Sequence, residues 1–82
     1  MSDRSVVMRQ EVAQIVSAIA EVSLDRITED ADFRNGLGID SMMGLEIMYT
    51  VEKKYNIHLR EEDLPKMRTL RSLCKLIEEH RV

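Results

Sequence analysis

The side chains able to act as nucleophile or base set the first question, and the chain offers Ser41 and Cys74 against His58 and His80. No spacing or flanking sequence among them matches a catalytic triad. The adjacent acids Glu61-Glu62 and Glu78-Glu79 fall on faces expected to be solvated, where a carboxylate keeps an ordinary pKa and has no reason to act as acid or base. Cys74 is the single cysteine, so neither an internal disulfide nor a thiolate metal cluster is expected. The two histidines stand far apart without a partner at ligand spacing, so no metal site is expected either. Gly36 and Gly38 lack the Lys-Ser/Thr and strand context of a phosphate-cradling loop, and no calcium-loop pattern occurs. These observations argue against an enzyme.

Ser41 has a different setting. It stands where a glycine-punctuated loop, Gly36-Leu37-Gly38-Ile39-Asp40, meets the start of an apolar helical run. Its hydroxyl should be exposed beside backbone N–H groups that lack intrahelical partners. A phosphate attached there would gain from those donors and from the positive end of the helix dipole, typically by about 0.3–1 kcal/mol. The same residues also read as an ordinary cap, since Asp40 and Ser41 are both good N-cap types.

The elements that must position this serine follow from periodicity. Met8, Val12, Ile15, Val16 and Ile19 share one helical face, which predicts a helix from about Ser5 to Glu21. From Val22 to Asp40 no period persists, and Asp25, Asp30, Asp32, Asn35, Gly36 and Gly38 favour turns. This predicts a long loop, with a short helical turn near Leu24 to Ile27, pinned to the core by Phe33, Leu37 and Ile39. A loop of this length is more often functional than idle. Ser41 to Tyr55 predicts a second helix with Met48, Val51 and Tyr55 toward the core. Its first half is apolar almost all round, wider than one packing stripe requires. Gly44 inside it costs roughly 0.5–1 kcal/mol relative to alanine. Asn56 to Leu59 reads as an extended link, Glu61 to Leu64 as one helical turn ending near Pro65, and Thr69 as the N-cap of a last helix to about His80 that carries Leu70, Leu73, Cys74 and Ile77. The expected fold is all-α: a small four-helix bundle of three main helices and one short helix, with a long first loop, forming a single domain over residues 1–82.

The chain has 82 residues, enough for one domain that buries about 60% or a little more of its unfolded surface. No signal peptide or membrane span is expected, which suggests a cytoplasmic monomer. Formal charge is −3, unevenly spread. Acids outnumber bases seven to four over residues 1–39 and six to three over 40–63, while bases lead five to two over 64–82. No concentrated basic face exists for nucleic acid. Basic protein partners would suit the acidic front and middle.

Read as a whole, Asp32-Phe33-Arg34-Asn35-Gly36-Leu37-Gly38-Ile39-Asp40-Ser41-Met42 resembles the Leu-Gly-x-Asp-Ser-Leu signature of acyl carrier proteins, matching at Leu37, Gly38, Asp40 and Ser41. Leu45-Glu46-Ile47 is similar to the family's Val-Glu-Leu, and Val51-Glu52-Lys53-Lys54-Tyr55-Asn56-Ile57 to its Leu-Glu-Glu-Glu-Phe-x-Ile; Thr69-Leu70 matches the start of its last helix. The resemblance covers nearly the full chain. It implies a carrier that catalyses nothing itself. A phosphopantetheinyl transferase would join the 4'-phosphopantetheine arm of coenzyme A to Ser41, and acyl chains would ride as thioesters on the arm's thiol in fatty acid, modified-lipid or polyketide biosynthesis. Partners would include acyl-loading, condensing and chain-modifying enzymes, met by Asp40, Met42, Glu46 and Glu52. Such charges mostly speed and orient encounter. Met42 takes the family's leucine position, although Met42 and Met43 also read as adaptable core fillers. Leu45, Met48, Ile57 and Leu64 would line an acyl pocket. Three departures bear on the partners: Met43 stands where the family often has an acid, and Lys53 and Lys54 interrupt its acidic run. An aminoacyl, D-alanyl or peptidyl carrier therefore stays open, as does, in another class, an unmodified helical adaptor that binds through the second helix.

Overall fold

The apolar stripes close on one another as their spacing requires. The computed structural model describes residues 3–81. In chain order it comprises α1 (Asp3–Ala20), a 3₁₀ turn (Leu24–Arg26), α2 (Ser41–Tyr55), a 3₁₀ segment (Glu61–Lys66) and α3 (Leu70–His80), with no strand among the described residues. Helix α1 packs against both α2 and α3, and the second 3₁₀ segment bridges α2 and α3. Met8, Val12 and Val16 of α1 meet Ile47, Met48 and Val51 of α2 and Leu70, Leu73, Leu76 and Ile77 of α3 in one buried cluster. Removing a side chain of this size from water stabilises the fold by about 1.5–3 kcal/mol, so the cluster is the main source of stability.

The long loop between α1 and α2 is built into that core. Ile27, Phe33, Leu37 and Ile39 are all buried, three of them the anchors that the sequence predicts. Backbone bonds tie the loop to the start of α3: the Phe33 N–H donates to the Arg68 carbonyl at 2.8 Å and the Arg71 N–H to the Glu29 carbonyl at 3.0 Å. Arg71 forms a fork on Asp30 at 2.8 and 3.0 Å and reaches Glu29 at 3.4 Å. Arg9 of α1 meets the same Glu29 at 3.1 Å, so α1, the loop and α3 share one ion-pair cluster.

One local expectation is corrected. The turn placed at Glu61 to Leu64 continues through Pro65 to Lys66. Its bonds, from the Asp63 N–H to the Arg60 carbonyl and from the Met67 N–H to the Leu64 carbonyl, span three residues and need no N–H from proline, so Pro65 does not end it. Tyr55 packs half-buried against the core, as its spacing predicts, and its hydroxyl donates to Glu11 at 2.8 Å. Helix α2 stops at Asn56, whose left-handed φ of 54° is one that asparagine tolerates at a helix end.

Candidate functional site

Ser41 is the first residue of α2, with Asp40 as its N-cap. The Asp40 carboxylate accepts the Met43 N–H at 2.9 Å, and its carbonyl accepts the Gly44 N–H at 2.9 Å. Helix geometry then leaves the N–H groups of Ser41 and Met42 for an acceptor outside the helix. The Ser41 side chain is exposed. Thus the cap and the candidate site are compatible: Asp40 does the capping and Ser41 stays free.

The preceding loop sets that arrangement. Asp32 accepts the N–H groups of Arg34 and Asn35 on one carboxylate oxygen at 3.0 and 2.9 Å, and its carbonyl accepts those of Gly36 and Leu37 at 2.7 and 3.1 Å. A Cβ on Gly36 would fall 2.8 Å from the Asp32 carbonyl oxygen, closer than that turn allows. Gly38 follows with φ of 70°, a value that favours glycine, and swings Ile39 into the core while Asp40 emerges. The second Asp32 oxygen takes the Arg68 guanidinium at 3.0 Å. The Asn35 N–H and the Arg68 guanidinium together hold the Asp32 carboxyl below the usual carboxylate range.

A groove of about 560 Å³ opens beside Ser41. Phe33, Ile39, Leu64, Pro65 and Met67 supply its apolar lining, and Asp32, Arg34, Asp40 and Arg68 stand among its polar residues. Gly44 also borders it, where an added Cβ would make only ordinary contact with Leu64, 3.8 Å away. Its missing side chain widens the groove and relieves no clash. Of the four residues expected to line an acyl pocket, only Leu64 borders this groove. Met48 lies fully inside the core, and Leu45 and Ile57 pack half-buried against it. The sequence shows that these residues are apolar but not which side of the core each one meets.

On the outward face of α2, Met42 is 80% exposed, and Asp40 and Glu46 are exposed, as docking residues must be. Glu52 is corrected. Its side chain is 18% exposed, and its carboxylate accepts the Leu59 N–H at 2.8 Å, so it secures the link after α2 and does not offer a free charge. Tyr49, seven residues after Met42 on the same helix, is 54% exposed as well. Arg34 and Arg68 line the same groove as Ser41, a placement that depends on the loop's path and has no signature in spacing.

The remaining nucleophile and base candidates do not assemble. No histidine or cysteine lines the groove. His58 is 88% exposed, with Nδ1 3.6 Å from Glu52, and His80 Nδ1 sits 2.9 Å from the Leu76 carbonyl. Cys74 borders a separate cavity of about 150 Å³, and burial pushes its thiol up to about 11. Among the described residues no acid, histidine and cysteine cluster could hold a metal.

A family model described as a phosphopantetheine attachment site matches residues 10–77. The chain belongs to the acyl carrier protein family. It is 30% identical over 69 residues to polyketide-8 synthase acyl carrier protein 2 of Streptomyces avermitilis, covering 84% of this chain and 79% of that one. It is 32% identical over 72 residues to an acyl carrier protein of Brachyspira hyodysenteriae, covering 87% and 92%. A solved acyl carrier protein from Enterococcus faecalis has the same fold, with a TM-score of 0.78 at 22% identity over 98% of this chain and 99% of that one. The prosthetic group is 4'-phosphopantetheine, and the chain is a phosphopantetheine-carrying acyl carrier. Its residues fit that group: an exposed hydroxyl at a helix N-terminus whose first N–H groups lack helical partners suits an anionic phosphodiester, and Phe33, Ile39, Leu64, Pro65 and Met67 in the adjoining groove offer apolar surface to the chain that follows.

Proposed function

We propose that Ser41 is the attachment residue and that residues 1–82 act as one carrier domain, a substrate for other enzymes that is not itself catalytic. The observation that carries this reading is the exposed Ser41 at the capped start of α2, inside the family match. In loading, the Ser41 oxygen forms a bond to the phosphorus that bears pantetheine. The bond from that phosphorus to adenosine bisphosphate breaks, and the hydroxyl proton passes to the transferase. Asp40 orients the first turn throughout and keeps Ser41 at its edge. The bound group supplies a thiol on which an acyl chain is held as a thioester.

The relatives' names support acyl cargo from fatty acid or polyketide assembly, with acyl-loading, condensing and chain-modifying enzymes as partners. A cytoplasmic monomer fits this role. Among the described residues no helix is long and apolar enough to cross a membrane. Incubation with coenzyme A and a broad-specificity phosphopantetheinyl transferase should add the mass of one phosphopantetheine to the chain, and Ser41→Ala should take up none. Loading that survives in Ser41→Ala would move the attachment elsewhere. A wild-type chain left unmodified while a control carrier loads would overturn the reading.

A further inference from the structure

The three glycines differ in what demands them. Gly36 is fixed by its close approach to the Asp32 carbonyl and Gly38 by its left-handed φ. Gly44 has neither reason. It lies inside α2 without a positive φ, and an added Cβ would meet only Leu64 Cδ2, at 3.8 Å. Glycine inside a helix weakens it relative to alanine, so folding alone favours a side chain here. What the missing side chain leaves is space, and that space belongs to the groove beside Ser41. Gly44 follows Ser41 by three residues, which makes the two neighbours on the helix surface, about 4.5 Å apart along its axis. Ser41, Gly44 and the half-buried Leu64 thus border one opening of about 560 Å³.

We propose, resting on Ser41 as the attachment residue, that Gly44 opens the groove as a seat for the carbon of the phosphopantetheine arm that bears two methyl groups. That carbon is the first apolar group after the phosphate. The hydroxyl and the two amides that follow it are polar, and the cargo begins only at the thiol on the far end. An apolar seat within one helical turn of the attachment oxygen is therefore reached by the dimethyl carbon before any other apolar part of the arm. Ile39, Leu64, Pro65 and the buried Met67 supply the apolar surface, and covering it removes both the methyls and part of Leu64 from water. The tether makes the contact intramolecular, so a small gain suffices to populate it. Gly44 belongs to α2 and Leu64 to the second 3₁₀ segment, two elements already in contact, so a seated arm also holds them together. A longer side chain at position 44, aimed at Leu64, would take the same space. Gly44 is then a positioning residue that acts on the thiol through the base of the arm.

The test uses the full chain, loaded from coenzyme A whose two geminal methyls are labelled with carbon-13 and checked by mass. In the loaded wild type, nuclear Overhauser contacts should join those methyls to the methyl groups of Leu64 and Met67, and the urea midpoint should exceed that of the unloaded chain by about 0.3 M or more. Gly44→Leu, which fills the groove, should lose the contacts and bring the loaded and unloaded midpoints within about 0.1 M of each other. Gly44→Ala should raise the unloaded midpoint, since alanine suits a helix better, and should weaken the contacts less than Gly44→Leu does. A glycine needed only for packing would do the reverse, with a lowered unloaded midpoint in Gly44→Ala and methyl contacts untouched. Contacts missing from a wild type that carries the mass of one arm would overturn the seat and leave the attachment standing. An octanoyl-loaded chain in which the octanoyl protons touch Leu64 and the geminal methyls do not would also overturn it, giving the groove to the cargo. No mass gain in wild type would instead overturn the attachment reading, and the seat with it.

Discussion

The loop from Val22 to Asp40 carries seven charges and the helix α2 that follows it four, and the two regions treat part of them in opposite ways. In the loop, Glu29, Asp30 and Asp32 face Arg9, Arg71 and Arg68, with nitrogen to oxygen distances of 2.8 to 3.4 Å. On α2, Glu46 and Lys53 remain free, and Asp40 gives its carboxylate to its own helix. Regular secondary structure is therefore a poor guide to which region is fixed by side chains. The helix holds its backbone through its own bonds and can leave its outer side chains to partners, whereas the loop needs side chains to define its path. Exposed ion pairs are individually weak. Those of the loop act together with four buried apolar anchors, and this is why a segment of so little secondary structure can place Ser41 and part of the lining of the groove.

The largest effect should come from removing one of those anchors. Phe33 is 4% exposed, lines the groove and donates its N–H to Arg68. Phe33→Ala should cost about 3–5 kcal/mol in urea unfolding, a large share of what a domain of this size possesses. A cost below about 1 kcal/mol would mean that the loop is not part of the core, and the contrast with α2 would fail.

Acidification separates the two regions by charge. The Asp30 carboxyl is held down by the Arg71 guanidinium and that of Asp32 by the Asn35 N–H and Arg68, both below the ordinary 3.8. Asp63, buried at the second 3₁₀ segment, is held down by the Arg60 N–H and then by Lys66. A folded-state pKa below the unfolded value means that the unfolded chain takes up protons first. The stabilisation is thus present above about pH 4 and is lost as pH falls through the folded values. The urea midpoint should be flat toward neutrality and should decline below about pH 4. Asp32→Asn keeps an acceptor for the turn and loses the charge, so it should make that decline shallower than in wild type. A decline as steep as the wild type's would mean that the Asp32 carboxylate is not held by the loop and Arg68.

Much of this contrast was legible in the sequence and part of it was not. The bounds of α2 from Ser41 to Tyr55, the cap at Thr69 and the burial of Phe33, Leu37 and Ile39 all follow from local rules that need no knowledge of the fold. Pro65 misled because the rule it obeys concerns α-helix, and the segment is 3₁₀. Glu52, and the three pocket candidates that fall outside the groove beside Ser41, stand where they do for a different reason. Polarity and period place Glu52 at the side of α2, but its 2.8 Å bond to the Leu59 N–H depends on how the chain turns after Asn56. Likewise Met48 is apolar wherever it points. Contacts made by chain reversal, such as that between Asp32 and Arg68, separated by 36 residues, leave no periodic trace.

The smallest expected effect is also the sharpest on the helix side. If the charges on the outer face of α2 are held for partners, neutralising them should hardly matter to folding: Glu46→Gln and Lys53→Gln should each change unfolding free energy by no more than about 0.5 kcal/mol. Lys53 lies in the last turn of α2, where a positive charge interacts favourably with the helix dipole, so its variant should show the larger loss of the two. A loss well above 1 kcal/mol in either Gln variant would mean that the side chain has a folding role which the free, exposed geometry of α2 does not contain. The division between a loop that engages Glu29, Asp30 and Asp32 internally and a helix that leaves Glu46 and Lys53 free would then have to be withdrawn.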